Sequence, residues 1–335
     1  MKFASYQDGS RDGQLVVVSR DLSQAVYPSH IANRLQQVLD DWNYLSPQLQ
    51  DLSDQLNAGR ARHAFVFNPE QCLAPLPRAY QWVRGGGFES HADVLQQAQA
   101  LDARSVACAH PPQVQAGSDA LWGARAPVVC ADASEEWDFS AELAVATGDI
   151  PMGCTPERAL DGVRLVLLAN CFQLRTHANA DAGTAFAPVA VTPDELGEAW
   201  RTGRVHLALQ TSWNGRKVGL CDAGADMTLH FGQLIAQRAQ HRALRAGSLV
   251  GSGTVSSPAR VNEGKKTAQD PPEWPKGYHC IAEKRAMELL QNGQTTTGYL
   301  RVGDTLEMDV KGRDGHSLFG AIAQEVVAPG GALSV

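Results

Sequence analysis

An α+β architecture rich in β-structure is the fold class this sequence predicts, and three observations carry it. Short apolar runs bounded by turn residues dominate the chain beyond Gly123. Asn214-Gly215 joins two such runs and is the strongest short-range hairpin signal in the chain. Helical spacing is confined to a few windows, and no βαβ alternation surrounds them, which argues against a doubly wound nucleotide fold.

The elements follow in order. Arg11-Asp12-Gly13 reads as a turn leading into a strand at Val16-Val17-Val18. Apolar Leu35, Val38, Leu39, Trp42 and Leu45 recur at helix spacing, so 31–52 is expected to be a helix. Pro75 and Pro77 mark an extended passage to Tyr80, which sets a small N-terminal cap over 1–74 before a main domain over 75–328. Strands are expected at 126–130 and 139–147, while the apolar stretch 163–170 suits either a buried strand or a helix end. Segments 205–213 and 216–220 form the Asn214-Gly215 hairpin, and 305–310 pairs with 317–327. Helices are expected at 193–201, 231–242 and 282–291, the first with Thr192 as N-cap, Pro193 at its first position and Glu195 at its third. The polar, proline-bearing stretch 258–276 exceeds an ordinary connection and reads as an insertion, as a surface loop, lid or dimer contact anchored by Trp274 or Tyr278. The tail 329–335 reads as flexible.

Composition excludes several classes of function. The chain has 335 residues, of which 44% are hydrophobic and 19% charged, as in ordinary globular proteins. A formal net charge of -7 gives no basic footprint for nucleic acid. No apolar run approaches a membrane span, and no basic-then-apolar leader opens the chain. Seven dispersed cysteines without a C-x-x-C pair suggest reduced thiols and a cytoplasmic setting. Gly85-Gly86-Gly87 lacks the Lys-Ser/Thr of a phosphate loop.

Longer strings carry more. Pro75-Leu76-Pro77-Arg78-Ala79-Tyr80-Gln81-Trp82, Asp138-Phe139 with Glu142-Leu143-Ala144-Val145, and Gly148-Asp149-Ile150-Pro151-Met152-Gly153 are the first of them. Thr184-Ala185-Phe186-Ala187-Pro188-Val189, Gly251-Ser252-Gly253-Thr254-Val255, Cys280-Ile281-Ala282-Glu283-Lys284-Arg285 and Phe319-Gly320-Ala321-Ile322 continue the set. On these strings the chain resembles the fumarylacetoacetate hydrolase superfamily, in particular its bacterial members with a short N-terminal domain. The resemblance implies a mixed β-sandwich roll and a homodimer. It also implies a magnesium or calcium ion held by four carboxylates, which takes up enolate charge while a His–Glu pair activates water for carbon–carbon cleavage.

The metal positions are rewritten here. The resemblance aligns Arg84 with the first aspartate, Ser140 and Glu142 with the two glutamates of a Glu-x-Glu strand, and Cys171, after Asn170, with the last aspartate. Basic residues that would hold an anionic substrate fall at Gln96, Gln97 and Gln99, and a lysine falls at Asp181. His91 and Glu283 align with the catalytic pair, and Gly253-Thr254 with a substrate-contacting turn; Tyr278 is a further substrate-binding candidate. Imidazole titrates near neutrality, so a histidine oriented by a carboxylate suits general-base work. A lone buried Glu142 would be costly, and Arg84 is its natural partner, so an Arg84–Glu142 ion pair is expected in place of the metal. Cys171 has three readings: an inert buried thiol, a catalytic group near His91, or a ligand with Glu142 and His91 or His177 in a softer, zinc-type site.

The expected function is therefore metal-independent acid–base chemistry by His91 and Glu283 on a 1,3-dicarbonyl or enolisable small molecule, with no cofactor. Cleavage, tautomerisation, dehydration and cyclisation all fit. Two alternatives stay open at this point. One is a non-catalytic relative kept for ligand binding or assembly. The other is ordinary metal-dependent hydrolysis through relocated acids such as Asp138, Glu135 or Glu136, since alternation puts Asp138 on the strand face of Ser140 and Glu142.

Overall fold

Alternation along the strand Val163–Leu174 organises the molecule. Leu165, Leu167, Ala169 and Cys171 point to one face, while Val166, Leu168 and Phe172 point to the other, and each set joins a different core. A run apolar on both faces must be covered on both, which is why 163–170 is a central strand and not a helix end. The computed structural model describes residues 1–101, 113–132, 134–176, 180–257 and 277–330. The insertion 258–276, with Trp274, lies outside the described residues, as do His177 and the tail beyond 330.

The main sheet has twelve strands among the described residues. At its centre Val163–Leu174 pairs antiparallel with Ala141–Thr147, which pairs with Leu249–Gly251, then Trp82–Gly85 and Gln113–Ala116. On the opposite side Lys2–Tyr6 joins through Ala190–Val191 and brings Gln14–Val18, Gln24–Val26 and Phe65–Val66. The first seventy residues thus extend the central sheet rather than resting on it. One face is covered by helices α1 (Leu35–Asp40) and α2 (Trp42–Asn57), which bury Leu35, Leu39 and Leu49 against Phe3, Leu15 and Leu167. The other face packs on a second sheet of five strands, with Phe139, Phe172, Met308 and Phe319 between the two. Each such buried Leu or Phe contributes roughly 1.5–3 kcal/mol.

Several expectations shift. The helix expected over 31–52 divides at Asp41 (φ -116°, ψ 37°), a residue type that favours turns over helix interiors. The helix expected at 193–201 is a 3₁₀ turn, Pro193–Ala199, interrupted at Gly197 (φ 52°). Thr192 does stand at its N-cap position, but its hydroxyl accepts from the Met1 amino group. Asn214 (φ 51°) and Gly215 (φ 70°) make the expected hairpin turn between Ala208–Trp213 and Arg216–Asp222.

Helix α3 (Glu89–Leu101) was not foreseen from spacing, although Val94, Leu95 and Ala98 mark its buried side. Helix α4 (Pro156–Leu160) precedes the hairpin and α5 (Phe231–Arg238) follows it, and the two pack on each other beside the sheet. Helix α6 (Ile281–Asn292) lies against α3 through Ala282, Ala286, Met287 and Leu289. This contact carries His91 to Glu283.

Candidate functional site

Two buried pairs flank one short segment of chain, the ion pair Arg84–Glu142 and the hydrogen-bonded pair His91–Glu283. The first begins with Glu142, the second residue of its strand, which shares a face with Ala144 and Ala146. Arg84, in the next strand but one, sends its side chain to the same face as Trp82. Its Nε donates to Glu142 Oε1 at 2.9 Å, and Nη2 makes a second, short contact to the same oxygen. Ser140 Oγ donates to that oxygen at 3.1 Å and shares a 2.7 Å hydrogen bond with Thr254 Oγ1. Glu142 is 0% exposed and Arg84 7%, so neither charge is relieved by bulk water. Burial alone would lower the Arg84 pKa, but the Glu142 carboxylate beside it raises it above its ordinary value, so the guanidinium stays charged. The other Glu142 oxygen, Oε2, is buried without a hydrogen-bond partner among the described residues.

The second pair joins α3 to α6. His91 Nδ1 lies 2.7 Å from Glu283 Oε2, and Ser256 Oγ donates to Glu283 Oε1 at 2.9 Å. Ser90 Oγ in turn reaches Ser256 Oγ at 3.1 Å. His91 is 8% exposed and Glu283 1%. Helix α6 starts firmly, because three of its N–H groups that lack intrahelical partners find acceptors. Asp138 takes two of them, from Ile281 at 2.6 Å and Ala282 at 3.0 Å, and Cys280 Sγ takes that of Glu283 at 3.3 Å. Arg175 Nε donates to Asp138 Oδ2 at 2.9 Å, which balances that buried carboxylate.

The segment from Gly251 to Ser256 connects the pairs. Thr254 bonds Ser140 beside Glu142, and Ser256 bonds Glu283 beside His91. Gly253 sits at φ +77°, and a Cβ there would fall 2.1 Å from the Gly85 carbonyl oxygen, so this turn requires glycine. Gly253 and Thr254, expected at a substrate-contacting turn, thus lie between the ion pair and the imidazole.

Other expected residues are placed as follows. Cys171 is fully buried, and burial pushes its thiol well above the ordinary value, with Arg84 offsetting only part of this. The set that gathers around His91 and Glu283 contains Cys280 and not Cys171: ligand atoms of His91, Cys280 and Glu283 lie within 4.8 Å of one another. The reason is the sheet pleat, which commits Cys171 to the face it shares with Ala169, whereas the N-terminus of α6 delivers Cys280. Tyr278 is half-buried and stacks on Phe139 with ring centroids 6.5 Å apart, its phenol pushed up to about 12 by burial. Asp181 pairs with Gln173 in a strand and accepts from Gly117 N–H at 2.7 Å. Gln96 and Gln97 are exposed on α3, and Gln99 is half-buried. Asp138 does not join Ser140 and Glu142, because its strand ends there and both its oxygens serve α6 and Arg175. Glu135 and Glu136 are half-buried in the turn before it.

Among the described residues, the donors near Glu142 do not fit a hard cation. Magnesium or calcium needs about six oxygen ligands with several carboxylates. This cluster supplies one carboxylate already held by a guanidinium, two hydroxyls and a protonated thiol.

Residue-by-residue reading missed His279. It is buried, with Nδ1 2.8 Å from Thr211 Oγ1 and Nε2 3.2 Å from Cys221 Sγ, and its carbonyl accepts the Ala141 N–H that starts the Glu142 strand. Burial lowers its pKa from 6.5 to about 4, with Glu283 opposing. A histidine held neutral in the fold stabilises it fully above pH 6.5 and loses that contribution as pH falls toward 4. Urea denaturation at pH 7.5 and pH 4.5 should therefore differ by an amount on the order of 3 kcal/mol from this group. A His279→Gln variant should show a shallower dependence over that range; an unchanged slope would assign the loss to other groups.

The comparisons agree with this architecture. Residues 1–78 match the model described as fumarylacetoacetase N-terminal domain 2, and residues 81–327 match that of the fumarylacetoacetate (FAA) hydrolase C-terminal domain. No curated protein sequence matches the chain. Among solved structures, maleylpyruvate hydrolase from Sphingobium sp. SYK-6, determined with manganese(II) and pyruvate, superposes with a TM-score of 0.65 at 16% identity. That match covers 98% of this chain and 99% of the other. A fumarylacetoacetate hydrolase from psychrophilic Exiguobacterium antarcticum gives 0.61 at 19% identity, over 98% and 99% of the two chains. A probable 2-hydroxyhepta-2,4-diene-1,7-dioate isomerase from Mycobacterium abscessus gives 0.62 at 17%, over 98% of each. At such identities the superpositions speak for the fold, and the family models speak for descent: the chain belongs to the fumarylacetoacetate hydrolase family of enzymes.

Proposed function

We propose that this protein is an enzyme that moves protons on an enolisable 1,3-dicarbonyl compound, with His91 as the base, Glu283 as its partner and the Arg84–Glu142 pair in place of a metal ion. The observation that carries the reading is the 2.7 Å contact between His91 Nδ1 and Glu283 Oε2. A carboxylate accepting the Nδ1 proton selects the tautomer whose basic lone pair is on Nε2, and it stabilises the imidazolium that forms. Ser256 and Ser90 hold that carboxylate in place from behind.

The sequence of events follows from these roles. His91 takes a proton from the carbon between two carbonyls, or from a water that attacks one of them. The first route leaves an enolate, which is reprotonated at another carbon in tautomerisation. The second gives a tetrahedral adduct whose C–C bond breaks to a carboxylate and an enolate, which then receives the proton. In both, negative charge grows on oxygen, and Arg84 is the residue assigned to offset it. One diffuse charge stabilises an enolate less than a dication does, so the substrate is expected to be readily enolised. Loss of basic residues at Gln96, Gln97 and Gln99, with Asp181 negative nearby, favours a neutral or singly charged substrate over a dianion.

The test is deuterium exchange. A panel of 1,3-dicarbonyl compounds is incubated with the protein in deuterium oxide, and exchange at the central carbon is followed by proton NMR. Protein-dependent exchange that disappears in His91→Asn supports the reading. Exchange equal with and without protein across the panel contradicts it.

A further inference from the structure

Cys280 is the residue of this centre that neither the proposed chemistry nor the family resemblance uses. It caps α6, three residues before Glu283, so both project from the same side of the first turn. Helix α3 packs alongside and brings His91 to them. Imidazole, thiol and carboxylate atoms all lie within 4.8 Å of one another, and all three residues are buried. A tetrahedral ion with bonds of about 2.0–2.3 Å spaces its ligands roughly 3.3–3.6 Å apart, so modest side-chain rotation closes the set.

We propose that His91, Cys280 and Glu283 form a binding site for a thiophilic divalent cation, zinc above all, and that its occupancy silences the proton-transfer pair. The site is distinct from the carboxylate set that Arg84, Ser140 and Cys171 have erased. One sulfur, one nitrogen and one oxygen donor select zinc or cobalt(II) over magnesium and manganese, which prefer oxygen alone. Binding exchanges protons for the metal: the Cys280 thiol gives up its proton to solvent as the S–metal bond forms. Burial holds that thiol well above its ordinary value, so it remains protonated until an ion arrives. Three protein ligands leave a fourth position for water. The silencing half rests on the His91–Glu283 chemistry proposed above; the binding half does not.

Cobalt(II) titration into the full-length, chelator-treated protein tests the binding half without any substrate. The expected result is a thiolate-to-cobalt charge-transfer band that saturates at one equivalent, and zinc uptake of the same stoichiometry by calorimetry. Cys280→Ser keeps an oxygen acceptor at the N-cap, so the helix is retained while the band disappears and zinc binds at least tenfold more weakly. Cys154→Ser, away from the centre, keeps both signals. Should circular dichroism show that Cys280→Ser is unfolded, Glu283→Gln supplies the second variant and is expected to weaken zinc at least tenfold. Absence of the band in the unmodified protein, or its persistence in Cys280→Ser, overturns the site. Zinc that saturates the protein without slowing deuterium exchange overturns the silencing.

Discussion

Arg84→Ala is expected to destabilise the protein by about 3–5 kcal/mol, the cost of leaving a buried charge without its partner. Glu142 is 0% exposed and its Oε2 has no hydrogen-bond partner among the described residues, so Arg84 and Ser140 carry its whole compensation on Oε1. Arg84→Lys should recover only part of the loss, since an ammonium cannot present the Nε and Nη2 donors together. The sharper comparison is the double replacement Arg84→Met with Glu142→Leu. Removing both charges avoids the desolvation cost as well as the attraction, so the double variant should be markedly more stable than Arg84→Ala. Urea denaturation of the three variants checks this. A double variant as unstable as Arg84→Ala would mean that the site depends on shape, not on charge balance.

The second large effect concerns rate. His91→Asn should lower protein-dependent deuterium exchange by roughly 10²–10⁴-fold, the usual contribution of a positioned general base. Glu283→Gln should fall by a smaller factor: the amide still holds the ring but cannot stabilise the imidazolium. Both variants should keep the fold, since α6 retains its cap from Asp138 and Cys280. NMR exchange rates with matched circular dichroism decide the matter. Equal rates in His91→Asn and the parent protein would remove His91 from the chemistry.

Much of this centre was legible in the residues. Arg84, Ser140, Glu142 and Thr254, grouped at the sequence level through the family resemblance, lie in hydrogen-bond contact. The apolar run 163–170 was ambiguous by periodicity alone; only its two covered faces resolve it as a strand. What escaped was contact across elements distant in sequence. Cys280 is one of seven dispersed cysteines in the sequence, and only the contact between the start of α6 and α3 sets it apart. His279 gave no local signal, as its partners Thr211 and Cys221 come from the opposite sheet. Asp138 read as a strand carboxylate on the Glu142 face because the end of its strand at this point leaves no mark in the pattern.

On the proposed reading, a guanidinium–carboxylate pair takes the place of a hard cation. Elemental analysis of the purified protein, with exchange activity measured before and after exhaustive chelation, tests it most directly. The expected result is magnesium, calcium and manganese each far below one equivalent per chain, with activity undiminished by chelator. Stoichiometric magnesium, calcium or manganese, with activity lost on its removal and restored on its return, would contradict it.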